Sequence, residues 1–570
     1  CLNSHFGENG VTVREQIAEL VRQAIDSAQA SDALPKVEVE DIAVERPQNA
    51  EHGDFATSLP LKLARPMRMN PLQIAERLAA HMPNGELGGG LLESATVASP
   101  GFINFSLNRN WLRAQIEAIR TDGAAFGDVD LGKGQRVQIE FVSANPVGPL
   151  HIAHARGGVI GSALANILQA SGYDVTREYY FNDAGAQIGH FARTLQARYL
   201  QQCGRDVEVH EDGYQGEYMI DLAAEIFGEE GERFLEMPEE DALRTLGELG
   251  VAKFMDRIRE DLIKLRIEFD EWFNEKTLFV NGQFEDSMAL LEEKGYVTER
   301  EGAVWFASTL LGDEKDKVMV RGNGIPTYFA SDVAYHYNKF FERNFDHVIN
   351  IWGADHQGHA LFMKALVAAL GMPEDKLTLI INQLVTLKRG GETVRLSKRT
   401  GDIITLREVI DEVGSDACRF FFLSRAADSQ MEFDMELAKE QSQENPVYYI
   451  QYAHARIASI LRLAEERSID WKDGDVSLLG HDAELALIRK MLELPELISM
   501  MANNLEAHHL PHYASDLATA FHWFYQNCRV VSGVEGEEEL SKARLKLVDA
   551  ARVALARCLS LMVMDAPEKM

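Results

Sequence analysis

Twice along the chain a short apolar strand runs into a polar, turn-rich loop, then a helix, then a second strand, and nothing else in the sequence restricts the fold as tightly. In the first instance Val137, Ile139 and Phe141 alternate with Gln138 and Glu140, as a strand requires, ahead of the loop Ser143–Pro149. From His151 onward Ile160, Ala163, Leu164, Ile167 and Leu168 recur at helical spacing until Gly172, and Val175–Phe181 again reads as a strand. In the second instance the order is strand Val348–Trp352, loop Gly353–His359, helix Ala360–Leu370 closed by Gly371, and strand Leu377–Asn382. Units of this kind cross over right-handed and build parallel sheets, and their ligands gather beyond the carboxyl ends of the strands. The expectation is an α/β fold, with a doubly wound parallel-sheet catalytic domain assembled from two halves.

At 570 residues the chain exceeds one compact core, and roughly three or four units are expected. Residues 1–127 hold amphipathic helical patterns and a β-like stretch, Gly101–Leu107, anchored by Phe102 and Phe105, which predicts a separate N-terminal α+β domain. The first half of the sheet domain then covers 128–202, and the charged, helical pattern of 203–274 reads as an insertion before the second half, 275–394. A basic loop and connecting region occupies 395–435. From 436 to 570 no strand pattern remains, and the periodic apolar residues of Tyr448–Leu463 and Leu545–Met562 predict an all-helical bundle.

With 57 basic against 89 acidic residues the net charge is −32, which excludes a protein that coats nucleic acid by bulk attraction. Any nucleic-acid contact has to be local, and two basic stretches qualify, Lys388–Arg407 and Lys542–Arg557, although each alone reads as a solvated face. The five cysteines stand singly without a CxxC pair, so neither a zinc knuckle nor a disulfide framework is suggested. No apolar run approaches the ~20 residues a membrane span needs, and no secretory signal pattern is visible, so a cytoplasmic protein is expected.

Three loops offer chemistry. His151 and His154, three apart, share a helix face at the amino end, where free backbone N–H groups already favour phosphate. Two imidazoles there can donate to an ATP phosphate, but HxxH alone fits a satisfied surface pair or half of a zinc site equally well. In Arg395–Gly401 (RLSKRTG), Lys398 beside Ser397 offers mobile positive charge to a triphosphate, and Thr405 with Glu408 makes a capping box that would anchor the loop to the next helix. Gly353, Asp355 and His359 follow the Val348 strand, where a carboxylate can accept ribose hydroxyls or simply favour a turn.

Taken together, HIAH resembles the HIGH signature of class I aminoacyl-tRNA synthetases, RLSKR their KMSKS loop, and GADHQGH their ribose-contacting strand end. The longer strings IEFVSANPVGPLHIAHARGG, YYFNDAGAQI, TYFASDVAYH and NPVYYIQYAHARI, with the C-terminal APEKM, are similar to arginyl-tRNA synthetases of bacterial type. Near the amino end, ERPQNAEHGDFATSLPLKLA and GFINF are similar to the appended domain of the same family. The resemblance implies an arginine–tRNA ligase that uses ATP with Mg²⁺ and no zinc, acts on L-arginine and tRNA(Arg), and works as a monomer away from membranes.

Residue by residue, the resemblance implies that His151, His154 and Lys398 are catalytic, stabilising ATP and the departing pyrophosphate. Gly148, Gly353, Asp355, His359 and Ser397 would complete the ATP site. Glu140, Ser143, Asn145 and His154 would line the arginine pocket, with Tyr328 and Asp332 reading the guanidinium; a planar cation with five donors is well matched by a carboxylate and an aromatic hydroxyl. Without the resemblance Asp332 reads only as a first-turn acid of a helix Ser331–Phe341. Ala153 stands where HIGH has Gly, and Arg395, Leu396 and Arg399 replace Lys, Met and Ser of KMSKS. The helical bundle would bind the anticodon and the N-terminal domain the D-loop corner of the tRNA. Tyr448, Tyr449 and Tyr452 are suited to stacking on bases and equally to packing in the core.

Overall fold

The computed structural model describes residues 11–83, 90–183, 185–394 and 404–570. At the amino end, helix Val13–Ala30 starts at a capping box in which Thr12 and Glu15 satisfy each other's backbone donors. It belongs to an α+β domain whose antiparallel sheet, in the order β1-β3-β2, comprises β1 (Phe55–Thr57), β2 (Leu92–Ala98) and β3 (Phe102–Leu107). Phe105 and Ile103 of β3 are fully buried, while Phe102, half-buried, sits at the strand's start.

The central sheet has five parallel strands in the order β11-β10-β4-β5-β6. β4 (Arg136–Glu140), β5 (Asp174–Phe181) and β6 (Glu271–Asn274) run outward in one direction. The chain then makes a small antiparallel sheet, β7 (Val297–Arg300), β8 (Ala303–Phe306) and β9 (Lys317–Val320), before returning to place β10 (His347–Gly353) beside β4 and β11 (Leu377–Asn382) outside it. The order reverses between β4 and β10, and a crevice opens there at the strands' carboxyl ends. The five strands include the four expected from the sequence. The fifth, β6, corrects the expectation that 203–274 is a wholly helical insertion: helices Glu217–Glu230 and Glu239–Lys264 are present, but the stretch ends as an edge strand of the sheet.

Helix Ile152–Ala170 packs on this sheet and, apart from Ala153, His154, Asn166 and Gln169, is buried all round. Its many small and apolar residues permit that burial, and Arg156 is the one long charged side chain buried along it. Two fully buried arginines fasten the following region to it. Arg156 donates to the carbonyls of Gln383 (3.0 Å), Ala426 (2.7 Å) and Ser429 (2.8 Å), and Arg419 donates back to Ser162 Oγ (2.9 Å) and to the carbonyls of Leu265 and Met562.

β12 (Val385–Arg389), β13 (Glu392–Thr393) and β14 (Met431–Asp434) form a last small sheet. Beyond it lies the expected helical bundle, beginning with Pro446–Glu466 and ending with Glu538–Leu561. Bundle and N-terminal domain meet directly. Arg46 grips Glu496 through Nε and Nη2, both at 3.2 Å, and Arg489 pairs with Asp54. In the basic stretch Lys542–Arg557, Lys546 reaches Glu117 at 2.6 Å and Arg557 reaches Asp128, while Lys542, Arg544 and Arg552 pair with Glu539, Glu484 and Asp549 within the bundle.

Candidate active site

The loop after β4 carries two successive left-handed residues, Val142 (φ 69°) and Ser143 (φ 43°). A β-branched residue there is strained by roughly 1–3 kcal/mol, which the surroundings must offset. They do so through Tyr179, whose hydroxyl accepts from Ala144 N (3.1 Å) and donates to Ala144 O (2.7 Å), and through Ser143 Oγ, which donates to Glu140 Oε1 (3.0 Å) and accepts from Tyr180 N (3.2 Å). Asn145 bridges to Gln187 at 2.7 Å and accepts from Asn182 N at 3.2 Å, so the loop is tied to the start of helix Ala186–Gln202 after β5. Gly148 faces Tyr218 of the insertion, 3.4 Å from where a Cβ would stand.

His151 caps helix Ile152–Ala170, and its ring stacks on that of His154 with centroids 3.8 Å apart. Loss of water around the ring, with His151 adding repulsion, lowers the His154 pKa to about 3, so this imidazole is neutral. His154 Nδ1 faces His151 N at 3.4 Å. Thr405 and Leu406 sit beside this turn: Thr405 bridges to His151, and Leu406 N donates to Leu150 O at 2.8 Å. The capping box expected of Thr405 and Glu408 is present. Ser397 and Lys398 lie outside the described residues.

On the other side of the crevice β10 ends at Gly353, where a Cβ would lie 2.5 Å from Asp355 Oδ1; glycine is what lets the exposed Asp355 carboxylate fold back over the strand end. His359, in the same turn, is directed to Asp332 (Nε2 to Oδ2, 2.8 Å). Asp332 belongs to a helix Tyr328–Tyr337, three residues earlier in start than expected and followed by a π turn, Asn338–Glu342. Tyr328 is 65% exposed and its ring lies 5.8 Å from that of His359.

Two carboxylates in this cleft were not singled out in the sequence. Glu275, just past β6, accepts from Ser331 Oγ, and Asp183 accepts from Asn274 Nδ2 at 2.9 Å while its Oδ1 is buried without a partner. Burial pushes the Glu275 carboxyl up; hydrogen bonds from Ser331 and Tyr180 oppose this, and the negative charges of Asp332 and Asp183 add to it. Among the described residues no lysine or arginine lies within ion-pair reach of Glu275, Asp183 or Asp332. Asp332 and Asp183 are thus close enough to Glu275 for their charges to act on it. Glu140, expected to touch arginine, is used differently: it is 5% exposed and its carboxylate accepts from Lys339 Nζ at 2.7 Å as well as from Ser143.

Comparison with known proteins gives the family. Residues 115–441 match the family model described as tRNA synthetases class I (R), catalytic domain, which covers more than half of the chain. The chain belongs to the arginyl-tRNA synthetases. This synthetase also matches the arginyl-tRNA synthetase N-terminal domain over 15–107 and the DALR anticodon-binding domain over 450–570. It is 54% identical over 560 residues to the arginine–tRNA ligase of Dehalococcoides mccartyi strain BAV1, spanning 98% of this chain and 99% of the relative. The ligase of Caldanaerobacter subterraneus subsp. tengcongensis is 47% identical over the same shares. In fold the synthetase superimposes on the Thermus thermophilus arginyl-tRNA synthetase with a TM-score of 0.76 at 24% identity, covering 98% of this chain and all of the other. It is thus an arginine–tRNA ligase, of the ATP-using class I.

Proposed function

We propose that arginine lies across the crevice with its guanidinium between Glu275 and Asp332, beside Tyr328, and its ammonium and carboxylate at Ser143 and Asn145. The observation that carries this reading is the group of three acids, Glu275, Asp183 and Asp332, with no lysine or arginine paired to them among the described residues; only His359 meets Asp332. A guanidinium presents five donors in a plane and stays charged at any working pH, so it satisfies such a group where a neutral amino acid would leave buried charge unmatched.

ATP, with Mg²⁺ as its counter-ion, occupies the amino end of helix Ile152–Ala170. His151 and His154 donate to phosphate, Gly353 and Asp355 receive the ribose, and Ser397 and Lys398 neutralise pyrophosphate. Gly148 stays small to leave the loop open, and His359 orients Asp332. The arginine carboxylate oxygen attacks the α-phosphorus and the bond to pyrophosphate breaks, giving arginyl-adenylate. The hydroxyl of the terminal adenosine then takes the acyl group and AMP leaves. No side chain forms a bond to substrate; the protein contributes alignment and charge stabilisation. The enzyme works as a cytoplasmic monomer, requires no zinc, and binds tRNA(Arg) through both its end domains.

Supplying ATP, Mg²⁺ and total tRNA with each of the twenty amino acids in turn should esterify arginine alone. Asp332→Ala should raise the arginine KM by about 100-fold or more, a loss of roughly 3 kcal/mol, while tRNA affinity changes little. Unchanged arginine affinity in that variant would remove Asp332 from the pocket.

A further inference from the structure

Glu140, Glu178 and Asn350 occupy one row across the sheet: Glu140 is in register with Glu178 on β5 and with Asn350 on β10. All three are buried beneath the helix that carries Asp332. The π turn at its end directs Lys339 and Arg343 onto this row, Lys339 to Glu140 and Arg343 to Glu178. Lys339 is without solvent contact. Its Nζ lies 2.7 Å from Glu140 Oε2, 3.1 Å from Asn350 Oδ1 and 4.0 Å from the centre of the Tyr335 ring, which uses all that an ammonium can offer.

From this ammonium the hydrogen bonds run in both directions. On one side Glu140 Oε1 accepts from Ser143 Oγ at 3.0 Å. On the other, Asn350 Nδ2 lies 3.1 Å from His336 Nε2, and His336 Nδ1 lies 2.8 Å from the backbone oxygen of Asp332. Because an amide N–H₂ can only donate, His336 must be neutral with its proton on Nδ1, and that proton can only go to Asp332 O. Burial, with Lys339 adding repulsion, holds the ring neutral. An unbroken chain, Ser143, Glu140, Lys339, Asn350, His336, Asp332, thus links the loop at Ser143 to the backbone oxygen of Asp332.

We propose that Lys339 is a positioning residue for arginine recognition: its buried pair with Glu140 sets the separation between the loop at Ser143 and the carboxylate of Asp332, and so fixes the length of amino acid the cavity accepts. This rests on the arginine pocket proposed above. A buried ion pair adds little net stability compared with apolar residues of the same shape, so the consequence of this one is geometric. Lys339 touches neither substrate; it acts through the two ends it joins.

Lys339→Met alone leaves Glu140 charged, buried and unmatched, and is expected to lower Tm; the informative enzyme is the full-length double variant Glu140→Gln with Lys339→Met, which removes both charges together. In aminoacylation assays it should fold with a Tm near that of the parent and show an arginine KM raised about tenfold or more, with ATP and tRNA KM values within about threefold. Its preference for arginine over homoarginine, one methylene longer, should fall by a similar factor. A double variant with parental arginine KM and parental discrimination overturns the proposal, and so does one that fails to fold or weakens all three substrates alike, because the pair would then be structural only. Asp332→Ala separates the two readings: if it raises the arginine KM while the double variant does not, only the role of Lys339 falls, whereas if it has no effect the pocket itself is wrong.

Discussion

His154 is uncharged in the folded protein. Its folded pKa of about 3 against an ordinary 6.5 means that the unfolded chain takes up a proton there first. The stability this ring contributes is therefore complete above pH 6.5 and declines as pH falls from 6.5 towards 3. Between pH 7.5 and 5.5 the decline is on the order of 1 kcal/mol from this group. His154→Asn should accordingly lose less thermal stability than the parent when melts at these two pH values are compared, and an identical loss would show that His154 is not desolvated. The short strings around His151, His154 and Asp355 placed them at a helix start or a strand end, as the structure has them, whereas Asp332 by its own pattern read only as a first-turn acid of its helix. Glu275 was not legible, since it stands in a charged stretch that reads as solvated. The use of Glu140 was also hidden, because its partner Lys339 lies 199 residues on and no local pattern links the two.

The elements on either side of the cleft are held by contacts that tolerate little added volume. A Cβ at Gly161 would lie 2.3 Å from Phe141 Cγ, so helix Ile152–Ala170 can reach β4 only with glycine at that point. Gly161→Ala must move Phe141 or the helix, at a cost of about 1–3 kcal/mol. Because Phe141 opens the loop of Ser143 and the helix begins at His151, this variant should show a Tm lowered by a few degrees together with reduced kcat/KM for ATP. A lowered Tm with unaltered kinetics would mean that the strain is absorbed away from the loop. Four strands of the sheet were readable in the sequence, with the glycines that end their helices. β6 was not: it has four residues, starts with the exposed Glu271, and owes its strand form to pairing with β5 rather than to its own pattern. The small sheet β7-β8-β9 escaped notice for the same reason.

At the scale of the molecule, the N-terminal domain and the helical bundle are joined by few but well-defined charges. Glu496 is 9% exposed; burial raises its carboxyl, against the pull of Arg46 and Arg14. Glu496→Gln keeps the shape and removes the charge, so both arginines lose their counter-ion. That variant should raise the KM for tRNA several-fold while arginine and ATP KM values stay at parental levels, as steady-state aminoacylation would show; equal KM values throughout would mean that the docked arrangement is indifferent to this pair. The overall charge of −32 had excluded a basic coat, and the structure shows why the basic stretch Lys542–Arg557 is no exception: Lys546 and Arg557 reach acids outside the bundle, and Lys542, Arg544 and Arg552 pair with acids inside it.

The grip of Arg46 on Glu496 joins positions 450 residues apart. During synthesis the N-terminal domain emerges from the ribosome long before its docking partner exists, so it must persist as an independent body while most of the polypeptide is still being translated. The finished arrangement, and with it any substrate that bridges both ends, becomes available only once the last helices have appeared.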